Sequence, residues 1–195
     1  GDRGVISAPG SIATVSSCRN AVPGLSTHLV TIDEGTFEAG MKVRLVVDEE
    51  RREGAMRHHT ATHLLNAALR ETLGTHVKQA GSLVANDRLR FDFSHFQGID
   101  ERELRVMENR VNGEILANQR VNTIEMSREE ALSSGALAFF GDKYGERVRV
   151  VEIPGFSKEF CGGTHVSQTG DIGFFLFTST SGVSAGTRRI EAVAG

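Results

Sequence analysis

The sequence predicts an α+β fold, with a small β-rich subdomain over residues 1–50 and a larger core over residues 51–195. Three observations carry that expectation. Short segments broken by Val22-Pro23-Gly24 and Glu34-Gly35 fill the first fifty residues, and helix-length apolar periodicity with capping residues follows them. The later strands do not alternate regularly with helices, as a βαβ chain would. With 39% hydrophobic and 24% charged residues in 195, the chain has the composition to bury a core of its own.

In chain order, strands are expected at residues 11–17, 28–32 and 41–47. A helix over 49–73 follows from Met56, Leu64, Leu65, Ala68 and Leu69, with Gly74 placed to end it. Residues 77–85 and 88–93 read as strands around the turn Asn86-Asp87. A second helix over 100–117 is expected because Asp100 with Glu103 forms a capping box and Leu104, Met107, Val111 and Ile115 share a face. Ser127 with Glu130 signals a short third helix, and 147–153, 173–178 and 189–193 are the remaining strand candidates.

A formal charge of −3 argues against coating long nucleic acid, DNA included, but not against gripping one short end. The local basic groups, Arg51, Arg52 and Arg57 and then Arg188 and Arg189, read individually as solvated surface. No apolar run approaches the length of a membrane span, and residue 1 opens no leader segment, so a cytoplasmic protein is expected. Cys18 and Cys161 lie in unlike settings, which favours a free thiol or a metal over a disulfide.

The chemistry concentrates in two segments. His59 and His63 are four apart, so on a helix their imidazoles project from one face, one turn apart. Cys161 and His165 repeat the offset in a glycine-containing loop, Cys161-Gly162-Gly163-Thr164-His165. Together they offer three imidazoles and a thiolate, a set that suits Zn2+. A zinc-protease helix would carry a glutamate where Thr60 stands, and a zinc finger would not separate its pairs by about a hundred residues. A purely structural zinc with all four ligands stays open.

The segment His59-Thr60-Ala61-Thr62-His63-Leu64-Leu65 resembles the first signature of alanyl-tRNA synthetase editing domains and their free-standing relatives, and Cys161 to His165 resembles the second. Gln79-Ala80-Gly81-Ser82-Leu83-Val84, Leu89-Arg90-Phe91-Asp92-Phe93-Ser94-His95, Phe140-Gly141-Asp142-Lys143-Tyr144-Gly145 and Arg188-Arg189-Ile190-Glu191-Ala192-Val193 resemble that family in order and spacing. The threonyl editing domain is similar in its paired metal motifs, but the Gly-Gly-Thr between Cys161 and His165 looks like the alanyl type. His58 and Phe160 depart from the family's usual asparagine and leucine. The family's aromatic, glycine-rich stretch before residue 1 is missing. The resemblance therefore implies a domain excised from a synthetase, with a shortened N-terminal subdomain, rather than a complete free-standing protein.

The resemblance implies a core of mixed sheet with helices, a bound Zn2+ and hydrolysis of alanine tRNA mischarged with serine or glycine. Its partners would be the aminoacylated 3′ end of tRNA and the rest of a synthetase chain. It carries Zn2+ ligation to His59, His63, Cys161 and His165, and gives Thr62 the recognition of the serine hydroxyl. Gln79 becomes a donor near the ester or the attacking water, and Asp92 an orienting group. Taken as residues alone, Thr62 could equally bond back to a helical carbonyl, Gln79 could be an exposed strand residue and Asp92 half of a buried ion pair. Two further readings are a tRNA-binding module with structural zinc and an assembly domain. The last predicts a large exposed apolar patch, which the sequence does not obviously contain.

Overall fold

The computed structural model describes residues 1–22, 25–138 and 145–195; Pro23 and Gly24 of the first turn, and Phe140 to Tyr144 of one family-like segment, lie outside the described residues. The chain divides into two compact units, Gly1–Glu53 and Gly54–Gly195, joined within the first helix. Among the described residues the architecture is mixed α+β with three sheets.

The first unit is an antiparallel sheet in the order β3-β2-β1-β4, made of β1 (Gly4–Ala8), β2 (Ser11–Val22), β3 (Leu25–Glu34) and β4 (Arg44–Val47). Cross-strand register places Ile6, Ala13, Val15, Val30, Ile32, Leu45 and Val47 on one face. Ala13 and Val15 are buried there, whereas Val30, Ile32, Leu45 and Val47 are exposed. This apolar surface went unread in the sequence, because alternation shows that a strand has an apolar face but not whether a second layer covers it. Arg52, expected to be solvated, instead pairs with Asp2, and its guanidinium holds that carboxyl below the ordinary aspartate range.

Helix α1 (Glu49–Leu73) starts where the Asp48 carboxylate accepts from the Arg51 N–H at 3.2 Å. It stops at Gly74, whose φ of +115° favours glycine and whose N–H caps the Arg70 carbonyl. In the second unit, β5 (Gln79–Val84) and β6 (Leu89–Ser94) join β10 (Phe175–Ser184) and β11 (Thr187–Ala194) in an antiparallel sheet of order β10-β11-β6-β5. Helix α2 (Glu101–Leu116) carries the capping box of Asp100 with Glu103. One core joins these elements, with Leu64, Leu65 and Leu69 of α1, Met107 and Val111 of α2, Phe91 and Phe93 of β6, and Ile190 of β11 all excluded from water.

A smaller sheet, β7-β8-β9, comprises β7 (Asn122–Ser127), β8 (Arg147–Ile153) and β9 (Ser157–Phe160). Helix α3 (Arg128–Ser133), opened by the capping box of Ser127 with Glu130, closes a second core of Ala131, Val148, Val150 and Phe160. A 3-10 turn, Thr169–Ile172, precedes β10. No helix among the described residues is long and apolar enough to cross a membrane.

Candidate metal centre

Two elements of the second unit supply the centre. The third and fourth turns of α1 present His59 and His63, and the loop that leaves β9 presents Cys161 and His165. That loop is tied to its sheet through the Cys161 N–H on the Arg149 carbonyl at 2.9 Å and through Arg149 donating to the Gly163 carbonyl. Gly163 passes so close to α1 that a methyl group on its Cα would overlap the His59 imidazole. Glycine here is a matter of space, not of backbone conformation.

The four potential donor atoms lie within 4.8 Å of one another. Cys161 Sγ stands 3.4 Å from His59 Nε2 and 3.3 Å from His165 Nε2. A tetrahedral ion with bonds of about 2.0–2.3 Å separates its donors by about 3.3–3.8 Å, so these spacings fit zinc.

The outer contacts of the imidazoles favour the same arrangement. His59 Nδ1 donates to the Thr164 carbonyl at 3.2 Å. Thr60 Oγ1 gives its own proton to the Met56 carbonyl and so accepts from His165 Nδ1 at 3.1 Å. His63 Nδ1 donates to the Glu159 carboxylate, and its buried Nε2 has no hydrogen-bond partner. All three rings thereby turn Nε2 toward the thiol.

Burial alone would raise the Cys161 thiol, but hydrogen bonds from His165 and His59 outweigh it and bring the pKa down to about 3. Burial, with His59 and His63 close by, lowers His165 to about 4. Burial opposes charge on His63 too, yet the facing Glu159 carboxylate and the Cys161 thiolate push it up to about 10. The site is thus thiolate-bearing at neutral pH and favours a positive charge beside His63, which a proton or a bound cation supplies. His58 belongs to the core instead: it accepts from the Ala194 N–H, donates to the Gly54 carbonyl, and is lowered by burial.

A cavity of about 200 Å³ opens beside the centre, lined by His59, His63 and Cys161 and by Thr62, Asn66, Gln79, Ser82, Phe91, Glu159 and Phe160. The β5-β6 register accounts for the sheet residues. Ser82 lies opposite Phe91 and Gln79 opposite Phe93, so all four share the face toward α1. Thr62 makes the helical back-bond to the His58 carbonyl at 2.8 Å, and the residue lines the cavity.

Asp92 does not reach this cavity. It lies opposite Gly81 and Arg189, on the other face of β6 from Phe91, where Arg189 grips it with bonds of 2.7 and 2.8 Å. The Arg189 hydrogen bonds hold its carboxyl below the ordinary range, so the pair is intact above that range and fails as pH falls through the lowered value. Arg188, also read as surface, donates to the Phe96 carbonyl.

Comparison with known proteins adds a second line. The family described as "Threonyl and Alanyl tRNA synthetase second additional domain" matches residues 148–191, the stretch that holds Cys161 and His165. The chain is 52% identical to the alanine–tRNA ligase of Xanthomonas oryzae pv. oryzae strain PXO99A and 52% identical to that of Pseudothermotoga lettingae. It is 53% identical to that of Anaeromyxobacter sp. strain Fw109-5. The chain corresponds to a domain of alanyl-tRNA synthetase, consistent with its editing domain. Each match covers all of this chain and 22% to 23% of the relative, so the chain spans about a fifth of the length of those ligases.

Two residues of this cavity escaped the sequence reading: Asn66 and Glu159. Asn66 carried a signal, since it stands three residues after His63 amid Leu64, Leu65, Ala67 and Ala68. Glu159 carried none, because a charged residue on a short strand ordinarily faces water.

Proposed function

We propose that this domain hydrolyses alanine tRNA mischarged with serine or glycine, with the His59, His63, Cys161 and His165 cluster holding Zn2+. The observation that carries the reading is one cavity of about 200 Å³ lined by three of those residues together with Thr62 and Gln79. A structural zinc site has no need of a polar cavity at its side. An alanine-activating site rejects glycine and serine poorly, because neither a missing methyl nor an added hydroxyl is a large steric difference, so a second hydrolytic site meets a physical need.

Each residue has a distinct task in this proposal. Thr62 has committed its proton to the His58 carbonyl and therefore accepts, so a serine hydroxyl can donate to it whereas an alanine methyl cannot. Gln79 donates to the ester carbonyl or holds the attacking water. Phe91 and Phe160 restrict bulk solvent. Water attacks the ester carbon, the bond to the ribose oxygen breaks, and the water's proton goes to that oxygen. Bound zinc would supply polarisation and orientation to an ester that is already labile. The rest of a synthetase chain is the proposed source of further tRNA contacts.

The test is single-turnover hydrolysis of serine-, glycine- and alanine-charged alanine tRNA by the parent and by Thr62→Val, with zinc measured on the same samples. The parent is expected to release serine and glycine faster than alanine. Valine keeps the branched shape and removes one neutral hydrogen bond, so serine release should fall about fivefold, glycine release less, and zinc content not at all. Equal release of serine and alanine by the parent would remove the specificity, and no release at high protein concentration would remove the activity. A common fall in all three rates would move the discriminator from Thr62 to another cavity residue.

A further inference from the structure

Glu159 is 1% exposed, and its carboxylate accepts from His63 Nδ1, from Asn66 Nδ2 at 2.7 Å and from Ser157 Oγ at 3.3 Å. Among the described residues no lysine or arginine pairs with it; its neighbour Lys158 pairs with Glu152. A carboxylate buried this deeply without a lysine or arginine partner is costly to keep in a fold.

We infer that Glu159 is the positioning residue of the metal centre, fixing the tautomer and ring orientation of His63 so that the Nε2 lone pair faces the other three donors. The inference rests on the zinc-binding part of the function proposed above and not on its tRNA chemistry. Of the three imidazoles, His59 and His165 are anchored through Nδ1 by neutral oxygens, of Thr164 and Thr60. Only His63 is anchored by a carboxylate, and only its Nε2 is buried and unpartnered. Asn66, on α1 three residues beyond His63, bonds the second carboxylate oxygen, so one helix carries both the ligand and the clamp on its acceptor.

Without the carboxylate, His63 Nδ1 would be buried with no acceptor, and the tautomer that carries its proton on Nε2, useless as a ligand, would become accessible.

The experiment combines zinc competition against a chromophoric chelator with nitrogen-15 NMR of the histidine rings, on zinc-loaded parent, Glu159→Gln and Glu159→Ala. In the parent, His63 should carry its proton on Nδ1 and bind zinc through Nε2. Glutamine still offers His63 an oxygen and should weaken zinc binding by no more than about 10-fold, whereas alanine should weaken it by about 10- to 100-fold. A parent spectrum with His63 protonated on Nε2, or bound through Nδ1, overturns the inference, as does a folded alanine variant within about threefold of the parent's affinity. If the alanine variant does not fold, the tautomer in the parent decides. A parent that takes up no zinc overturns the metal reading together with this one; a zinc-binding parent with an indifferent variant overturns this one alone.

Discussion

Replacing Gly163 with alanine is expected to cost the domain more than about 100-fold in zinc affinity while leaving it folded. The added methyl falls on the His59 ring, and the backbone of α1 cannot retreat because its next turns are buried in the core. The ring must therefore rotate away from Cys161, and one of four donors is lost. Gly163 does not have a positive φ, so alanine is not strained there and the loop can keep its path. Chelator competition beside a circular dichroism spectrum checks this. Parent-level affinity in the alanine protein would mean that His59 is not a ligand.

The second large effect concerns stability. Leu65 is fully buried on α1 in the core shared with α2 and the four-stranded sheet. Alanine is the better helix former, so any loss on Leu65→Ala comes from packing. The expected cost is about 3 kcal/mol, the sum of lost transfer energy and the cavity left behind. Urea unfolding of the zinc-loaded proteins measures it, and a cost below about 1 kcal/mol would show that the site collapses or was never tightly packed.

How much of this was legible in the sequence differs from element to element. Helix α1 was readable because its apolar positions and Gly74 agree, and α2 because Asp100 and Glu103 cap it. Strands β1, β7 and β9 went unread: β9 has four residues, Ser157–Phe160, too few to show a period. The offsets His59 to His63 and Cys161 to His165 were read together as one zinc set from their donor chemistry; how they meet is tertiary, with the loop that leaves β9 bringing its two donors within 4.8 Å of those on α1. Asp92 shows the converse limit. The resemblance gave it an orienting role, but a strand sends successive side chains to opposite faces, and nothing local told which face the cavity would occupy. Glu159 was invisible because its partners His63 and Asn66 are more than ninety residues away in sequence.

The central claim is that one bound zinc organises a deacylation site. The most direct measurement strips the protein with a chelator, removes the chelator, and follows single-turnover release of serine from serine-charged alanine tRNA as zinc is returned. The account predicts a rate near background in the stripped protein that rises in proportion to added zinc and levels off at about one equivalent per chain. A rate that stays the same through the removal and return of zinc would contradict it.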